Sequence, residues 1–237
     1  HLSLRRQRQM CIRDSSDSNN KLFIKSTNML IDLLMVRDDD IPRLVSQNIA
    51  DLGIVGENVV SEKQLSDSSL STKTILKLGF SRCRLSFARP KEMNLDCISN
   101  KKIATSYPAI VKDYLEKKDI SAEIIEIHGS VELTPFVEIS DIIADLVSTG
   151  STLESNNLTE LDSIMDSQAI LIQSNSITSK KLPLIDKVIS RINSVIKAKD
   201  SKYIMFNADT DDADQLIKLL PSACLLYTSD AADEGLG

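Results

Sequence analysis

Residues 145–152, Asp-Leu-Val-Ser-Thr-Gly-Ser-Thr, set the hydroxyls of Ser148, Thr149, Ser151 and Thr152 around Gly150, directly after an apolar run that ends in Asp145. A strand, a short glycine-containing loop and a helix start are the parts of an anion site. The free N–H groups at the start of a helix point outward, and its dipole favours negative charge. Composition alone leaves two readings open, an ordinary strand-to-helix turn and a phosphate cradle, because Ser, Thr and Gly are common in both. The loop is neither a Walker A loop nor a GxGxxG fingerprint, since no Lys follows the glycine and the spacing differs. Asp145 narrows the choice. A carboxylate suits a sugar diol or a bound Mg²⁺ better than a phosphate. The element therefore reads as a phosphoribosyl site, with the loop on the 5′-phosphate and the acid on the ribose.

Other residues could contribute. "HGSVELTP" (128–135) carries Glu132 just after a Gly-Ser turn, and on the same side of a sheet it could join Asp145. His128 reads as a structural histidine rather than a general base. Asp38, Asp39 and Asp40 read as a solvated helix start, while Arg37 at a strand end could pair with an acid or meet phosphate. Glu57 and Asn58 follow a strand that closes on Gly56, the place where α/β lobes commonly bind ligands. Arg82, Arg84 and Arg89 lie close together, with an ion-pair role as good an account as a functional one.

The elements that would position these residues alternate in type. Strands are predicted at 21–26, 31–36 (the more buried of the two), 50–56, 83–90, 101–108, 122–129, 141–147 and 167–175. Helices are predicted from 41, where Pro42 fits a first turn, after Gly56, and from Pro108. Residues 66–73 read as a polar loop, and 182–208 as a long amphipathic helix followed by a strand. Alternation of this kind implies α/β architecture with mostly parallel pairing.

The bulk composition excludes several classes. The chain has 237 residues, 42% hydrophobic and 26% charged, with a net charge of −6 and no Trp. An acidic, aromatic-poor chain is a poor partner for nucleic acid. No apolar run is long enough for a membrane span. Cys11, Cys83, Cys97 and Cys224 form no CxxC pair, which leaves neither a zinc nor a redox motif and makes the cytoplasm the expected compartment. With His128 the one internal histidine, triad chemistry is disfavoured. The ends, 1–15 and 224–237, follow no pattern of their own and are expected to be non-native tails, including the cluster Arg5, Arg6 and Arg8.

Taken in order, "VRDDDIPRLV", "ADLGIVGENVV", "CRLSFARP", "KKIATSYP", "GSVELTP", "ADLVSTGSTLESNNL", "QAILIQSN" and "SKYIMFNA" resemble the catalytic region of the ATP phosphoribosyltransferase family, in its long form. The resemblance implies a two-lobed, periplasmic-binding-protein-like (type II) α/β fold with the active site in the inter-lobe cleft. Lobe I would be discontinuous, 16–97 plus 173–223, with 98–172 as lobe II. It implies the transfer of phosphoribosyl from phosphoribosyl pyrophosphate to N1 of ATP with Mg²⁺, and a homo-oligomer, dimer to hexamer. Ser148, Thr149, Gly150, Ser151 and Thr152 would hold the 5′-phosphate, and Asp145 and Glu132 the ribose hydroxyls. Arg37, Glu57 and Asn58 would face ATP, and the metal ligands stay unassigned. The family's Lys/Ser-Gly-Arg-Leu element and its C-terminal histidine-binding domain have no counterpart in this sequence. The chain as it stands is therefore expected to lack part of its phosphate-binding machinery, and histidine feedback with it. A solute-binding module and a catalytically silent relative on the same fold are the alternative readings.

Overall fold

The computed structural model describes residues 22–27, 29–93 and 98–199, and the apolar strands Ile142–Val147 and Ala169–Gln173 lie at the centres of their sheets. In chain order the strands and helices are β1 (Phe23–Lys25), β2 (Asp32–Leu34), α1 (Ile41–Ser46), β3 (Leu52–Gly56), α2 (Glu57–Ser66), β4 (Lys73–Lys77), β5 (Cys83–Pro90), β6 (Lys102–Thr105), α3 (Pro108–Lys117), β7 (Glu123–Glu126), β8 (Ile142–Val147), α4 (Ser151–Ser155), β9 (Leu158–Ser167), β10 (Ala169–Gln173) and α5 (Leu182–Lys199). The chain divides into two units, His1–Ile192 and Asn193–Gly237, and of the second only the end of α5 lies among the described residues.

Three sheets form. β1 and β2 make a two-stranded ribbon, β3-β10-β4 a three-stranded sheet, and β7-β6-β8-β5-β9 a five-stranded one. β5 and β10 are buried along most of their length, as strands with neighbours on both sides must be. In the five-stranded sheet, period-2 alternation separates two cores. Leu85, Phe87, Ile103, Ile142 and Ala144 pack with Ile110, Val111 and Leu115 of α3 on one face. Ala88, Ala104, Ile143 and Val147 pack with Val131 and with Leu153 of α4 on the other. Val45, Val55, Val59, Val60, Ile170 and Ile172 form the core of the smaller sheet.

The chain passes between these two sheets twice, through Leu78–Arg82 and through Gln168, and the two passages are joined by backbone bonds Leu78 N–H to Ala169 O (2.9 Å) and Ala169 N–H to Phe80 O (3.0 Å). The chain leaves the small sheet by one passage and re-enters it by the other, side by side and in opposite directions, so β5 runs antiparallel to β9 and β4 to β10; β5 is also antiparallel to β8, and β10 to β3. The expected predominance of parallel pairing is corrected: among the described residues only β6 pairs in parallel, with β7 and β8.

Further expectations change. The segment 31–36, read as the more buried strand, gives β2 with all three residues exposed. β4 and β9 were not foreseen. The expected lobe boundary after residue 97 falls between β5 and β6, which share one sheet, and the boundary after residue 172 cuts β10. By sheet membership alone 83–167 belong together, β5 and β9 being the antiparallel strands that extend the sheet from β8. The predicted strand near 200–208, both expected tails, and Cys11, Cys97 and Cys224 lie outside the described residues.

Gly53 shows how closely α1 sits on β3. A Cβ there would lie 2.6 Å from Ile41 Cγ2 and 2.9 Å from Val45 Cγ2. Both are branch methyls held by a stiff χ1, so neither swings aside cheaply. Gly53→Ala should therefore lower the unfolding free energy by about 1–3 kcal/mol, read as a reduced urea midpoint at constant m.

Candidate functional site

Because β6, β7 and β8 run in parallel, their carboxyl ends open on one edge of the five-stranded sheet. Each end delivers a segment that the sequence marks. β6 leads to Tyr107 and the start of α3, β7 to the turn at 129–133, and β8 to Ser148–Thr152. Loops at this edge are the usual ligand-binding position in open α/β sheets.

Asp145 is set by strand alternation. It shares a face of β8 with Ile143 and Val147, which is the face covered by Val131 and Leu153. Glu132, half-buried in the 3₁₀ turn Val131–Leu133, is thereby brought close enough for its charge to act on Asp145. Burial raises the Asp145 carboxyl above its ordinary value. The N–H of Leu146, 2.7 Å from Oδ1, lowers it, and the Glu132 charge raises it again. The turn that carries Glu132 is anchored: Thr134 Oγ1 donates to Val131 O (2.7 Å) and lies 2.8 Å from Ser140 Oγ. It begins with Gly129 at φ +90° and Ser130 at φ +52°, both left-handed.

The loop between β8 and α4 turns on Gly150, at φ +82°, where an added Cβ would meet nothing within 4 Å. Glycine is there for backbone conformation and not to avoid a clash. Ser148, Thr149, Ser151 and Thr152 are all exposed, and Thr149 Oγ1 lies 3.0 Å from Ser151 Oγ. The result is a neutral, hydroxyl-rich rim one turn beyond a half-buried acid.

The three residues expected to face ATP have different surroundings. Arg37 is exposed, in extended backbone ahead of the 3₁₀ turn Asp38–Asp40. Glu57 opens α2 and pairs with Lys77 at 3.1 Å. Asn58 is 4% exposed, and its polar atoms are already engaged. Its N–H donates to Ser167 Oγ (3.0 Å), Oδ1 accepts from that hydroxyl (2.8 Å), and Nδ2 donates to Tyr107 Oη (3.1 Å). Asn58 thus reaches the sheet edge through Tyr107.

Tyr107 was missed in the sequence. Its hydroxyl is pushed up to about 12, first by burial and then by the charges of Asp145, Asp38 and Asp39, with the Asn58 bond acting the other way. The hydroxyl is therefore within reach of the charges of the 38–39 turn and of the acid of β8. The available signal was its place: an aromatic at a strand end, immediately before the proline that opens a helix.

The remaining candidates have structural partners. Arg84 forms a two-point pair with Glu160 (2.5 Å to each oxygen), and Arg89 donates to the carbonyls of Pro90 and Met93. His128 is exposed, with Nε2 3.5 Å from Glu126. No group of three or more His, Cys, Asp and Glu side chains that could hold a metal ion occurs among the described residues. Nor is any helix there long and apolar enough to cross a membrane.

Comparison with known proteins adds a family. The family model for ATP phosphoribosyltransferase matches residues 37–194. An ATP phosphoribosyltransferase of Bacteroides thetaiotaomicron is 43% identical over 209 residues, covering 87% of this chain and 72% of the relative. One from Phocaeicola vulgatus is 40% identical over 223 residues, covering 93% and 77%. Among solved structures, an ATP phosphoribosyl transferase (HisG:HisZ) complex from Thermotoga maritima aligns with a TM-score of 0.68 at 26% identity, over 83% of this chain and 93% of that one.

Proposed function

The chain belongs to the ATP phosphoribosyltransferase family, and from that premise we propose the site at which it joins N1 of ATP to C1 of phosphoribosyl pyrophosphate. The family's reaction is a glycosyl transfer that releases pyrophosphate, the first step of histidine biosynthesis. Its α/β fold is shared with the Thermotoga chain.

In this reading Ser148, Thr149, Gly150, Ser151 and Thr152 hold the 5′-phosphate, and Asp145 and Glu132 hold the ribose hydroxyls. The ATP side takes Arg37, Glu57 and the partly buried Tyr107, and Asn58 acts by holding Tyr107. The supporting observation is the convergence of Asp145, Glu132 and the 148–152 loop on one face at the carboxyl edge of β8. Lobe I then comprises the β3-β10-β4 sheet with α1 and α2, lobe II the five-stranded sheet, and the substrates lie in the cleft between them.

The chemistry follows from charge. As the C1–O bond to pyrophosphate breaks, positive charge builds on the sugar, and N1 of the adenine enters from the opposite face. Two carboxylates fixed beside the ribose in a partly dry site stabilise that charge without reorganising. Alignment of the two substrates supplies the rest, and no proton needs to be taken by a histidine. Asp145 and Glu132 are hard oxygen donors, which fits Mg²⁺ held chiefly by the substrate's phosphates and by one or two carboxylates. Held there by Asp145 and Glu132 with the substrate's phosphates, Mg²⁺ would supply charge neutralisation for the leaving pyrophosphate. A homo-oligomer (dimer to hexamer) and cytoplasmic residence complete the proposal. The Thermotoga relative was solved in a complex with a second, different chain, which supports assembly but not its homo-oligomeric form.

The loop assignment predicts that Thr149→Val and Gly150→Ala each raise KM for phosphoribosyl pyrophosphate, with kcat changed less. Losing one hydrogen bond to a charged group corresponds to about 10–100-fold in KM. Gly150→Ala should in addition cost about 1–2 kcal/mol of stability, since a left-handed residue acquires a Cβ. Steady-state pyrophosphate release at saturating ATP reads the first effect and urea unfolding the second. If neither variant moves KM, the phosphate lies elsewhere.

A further inference from the structure

Glu62 lies on α2, 7% exposed, and the transfer chemistry makes no use of it. Its Oε1 accepts the N–H of Ala109 and its Oε2 that of Ile110, each at 2.9 Å. These are among the first N–H groups of α3, which have no partner inside their own helix. Ser66 Oγ lies 3.5 Å from Oε1. The counter-charge for this buried acid is thus the positive end of α3, a geometry in which both oxygens are used.

The bond spans the two sheets. α2 follows β3 of the small sheet, and α3 packs on the five-stranded one. Asn58, one turn earlier on α2, holds Tyr107 Oη and Ser167 Oγ. One face of α2 therefore grips four positions of the opposite half: Tyr107, Ala109, Ile110 and Ser167. Asn58 fixes only the far end of the Tyr107 ring. Glu62 fixes the backbone from which that ring projects.

We propose that Glu62 is a positioning residue for phosphoribosyl transfer. By clamping the first turn of α3 it sets where Tyr107 stands relative to Asp145, and so where the nucleotide meets the sugar. The inference rests on the site reading above. A misplacement of the reactants by about 1 Å is enough to cost about 10²-fold in rate. Because the effect arises after both substrates are bound, it belongs in kcat.

The test is Glu62→Gln, which keeps the volume but directs an amide toward two N–H donors, and Glu62→Asp, which keeps the charge but shortens the reach. Folded fraction is read by near-UV circular dichroism and turnover is normalised to it. Expected are a fall in kcat of about tenfold or more for Glu62→Gln and a smaller one for Glu62→Asp, with KM for phosphoribosyl pyrophosphate within about twofold of the parent. In a Tyr107→Leu background the Glu62→Gln effect on kcat should vanish, since the ring it positions is gone. An unchanged normalised kcat in both variants overturns the proposal, as does full additivity with Tyr107→Leu. If Glu62→Gln does not fold, Glu62→Asp decides alone. Asp145→Asn, run alongside, separates the two levels. If it leaves turnover intact, the site reading itself has failed. If it abolishes turnover while the Glu62 variants do not lower kcat, only this inference has.

Discussion

Asp145→Asn should lower kcat/KM by about 10²–10³-fold while leaving the protein more stable than its parent. Both effects come from one cause. Burial and the neighbouring Glu132 charge disfavour the ionised form of Asp145, and a single N–H from Leu146 returns only part of the loss. The protein thus holds a negative charge where folding alone would not put one. That charge is worth its cost when the sugar turns cationic. Asparagine keeps the shape and an acceptor for the ribose but removes the charge, so ground-state binding of phosphoribosyl pyrophosphate should change less than kcat. Pyrophosphate release at saturating substrates measures the loss. Retention of more than about a tenth of kcat would assign the charge stabilisation to another group.

The pH dependence carries the same sign. The folded pKa of Asp145 lies above its unfolded value. Its contribution to stability is therefore fully present below the unfolded pKa and is lost as pH rises through the folded one. At neutral pH the parent bears the whole penalty, and Asp145→Asn should melt about 1–4 °C higher. The advantage should shrink on acidification and close once Asp145 is protonated in both states. Activity should decline on the acid side at a higher pH than an ordinary Asp would give.

The part of the site that was legible in the sequence is local in the chain. Asp145, Gly150 and the hydroxyls around it occupy one strand-loop-helix passage, and an apolar run followed by glycine and serine marks that passage without help from distant residues. The parts that were not legible depend on distant partners. Asn58 looks like a ligand-facing residue from its place after Gly56, yet Ser167 and Tyr107 claim its polar atoms. Glu62 looks like one more solvent-facing acid of a helix, and only the approach of α3 buries it. β9 escaped because Thr159, Glu160, Asp162, Ser163 and Asp166 break any apolar alternation. It is an edge strand, held by its ladder with β5 and by the Arg84–Glu160 pair. Strand direction was misjudged for a related reason. Alternating strands and helices announce parallel crossovers, but the two passages at 78–82 and 168 run side by side in opposite directions and set β5 against β9 and β4 against β10. Which sheet a strand joins is decided by where the chain returns, and local pattern does not encode that.

Phe87→Ala should produce the largest loss of stability, about 3–5 kcal/mol. Phe87 is fully buried in β5, stands opposite Ala144 of β8, and meets Tyr114 of α3 edge-on, with centroids 5.5 Å apart and planes at 62°. Its removal opens a cavity bounded by a sheet and a helix, neither of which can close over it freely. Against a total of about 5–15 kcal/mol, such a loss brings the chain near its unfolding threshold. Phe87→Leu keeps most of the volume and should lose less than half as much. The comparison also bears on function, because Phe87 packs on the face of the sheet opposite the one that carries Asp145. Phosphoribosyl pyrophosphate at about 100 times its Kd should add about 2.7 kcal/mol to the parent, seen as a raised urea midpoint. If packing behind β8 only holds the fold together, Phe87→Ala should recover that same increment on adding ligand. A smaller increment would mean that β5 also aligns Asp145 for its substrate. The shared β5–β8 ladder favours the smaller increment, because a strand that loses its support on one face no longer holds the side chains of the other at fixed height.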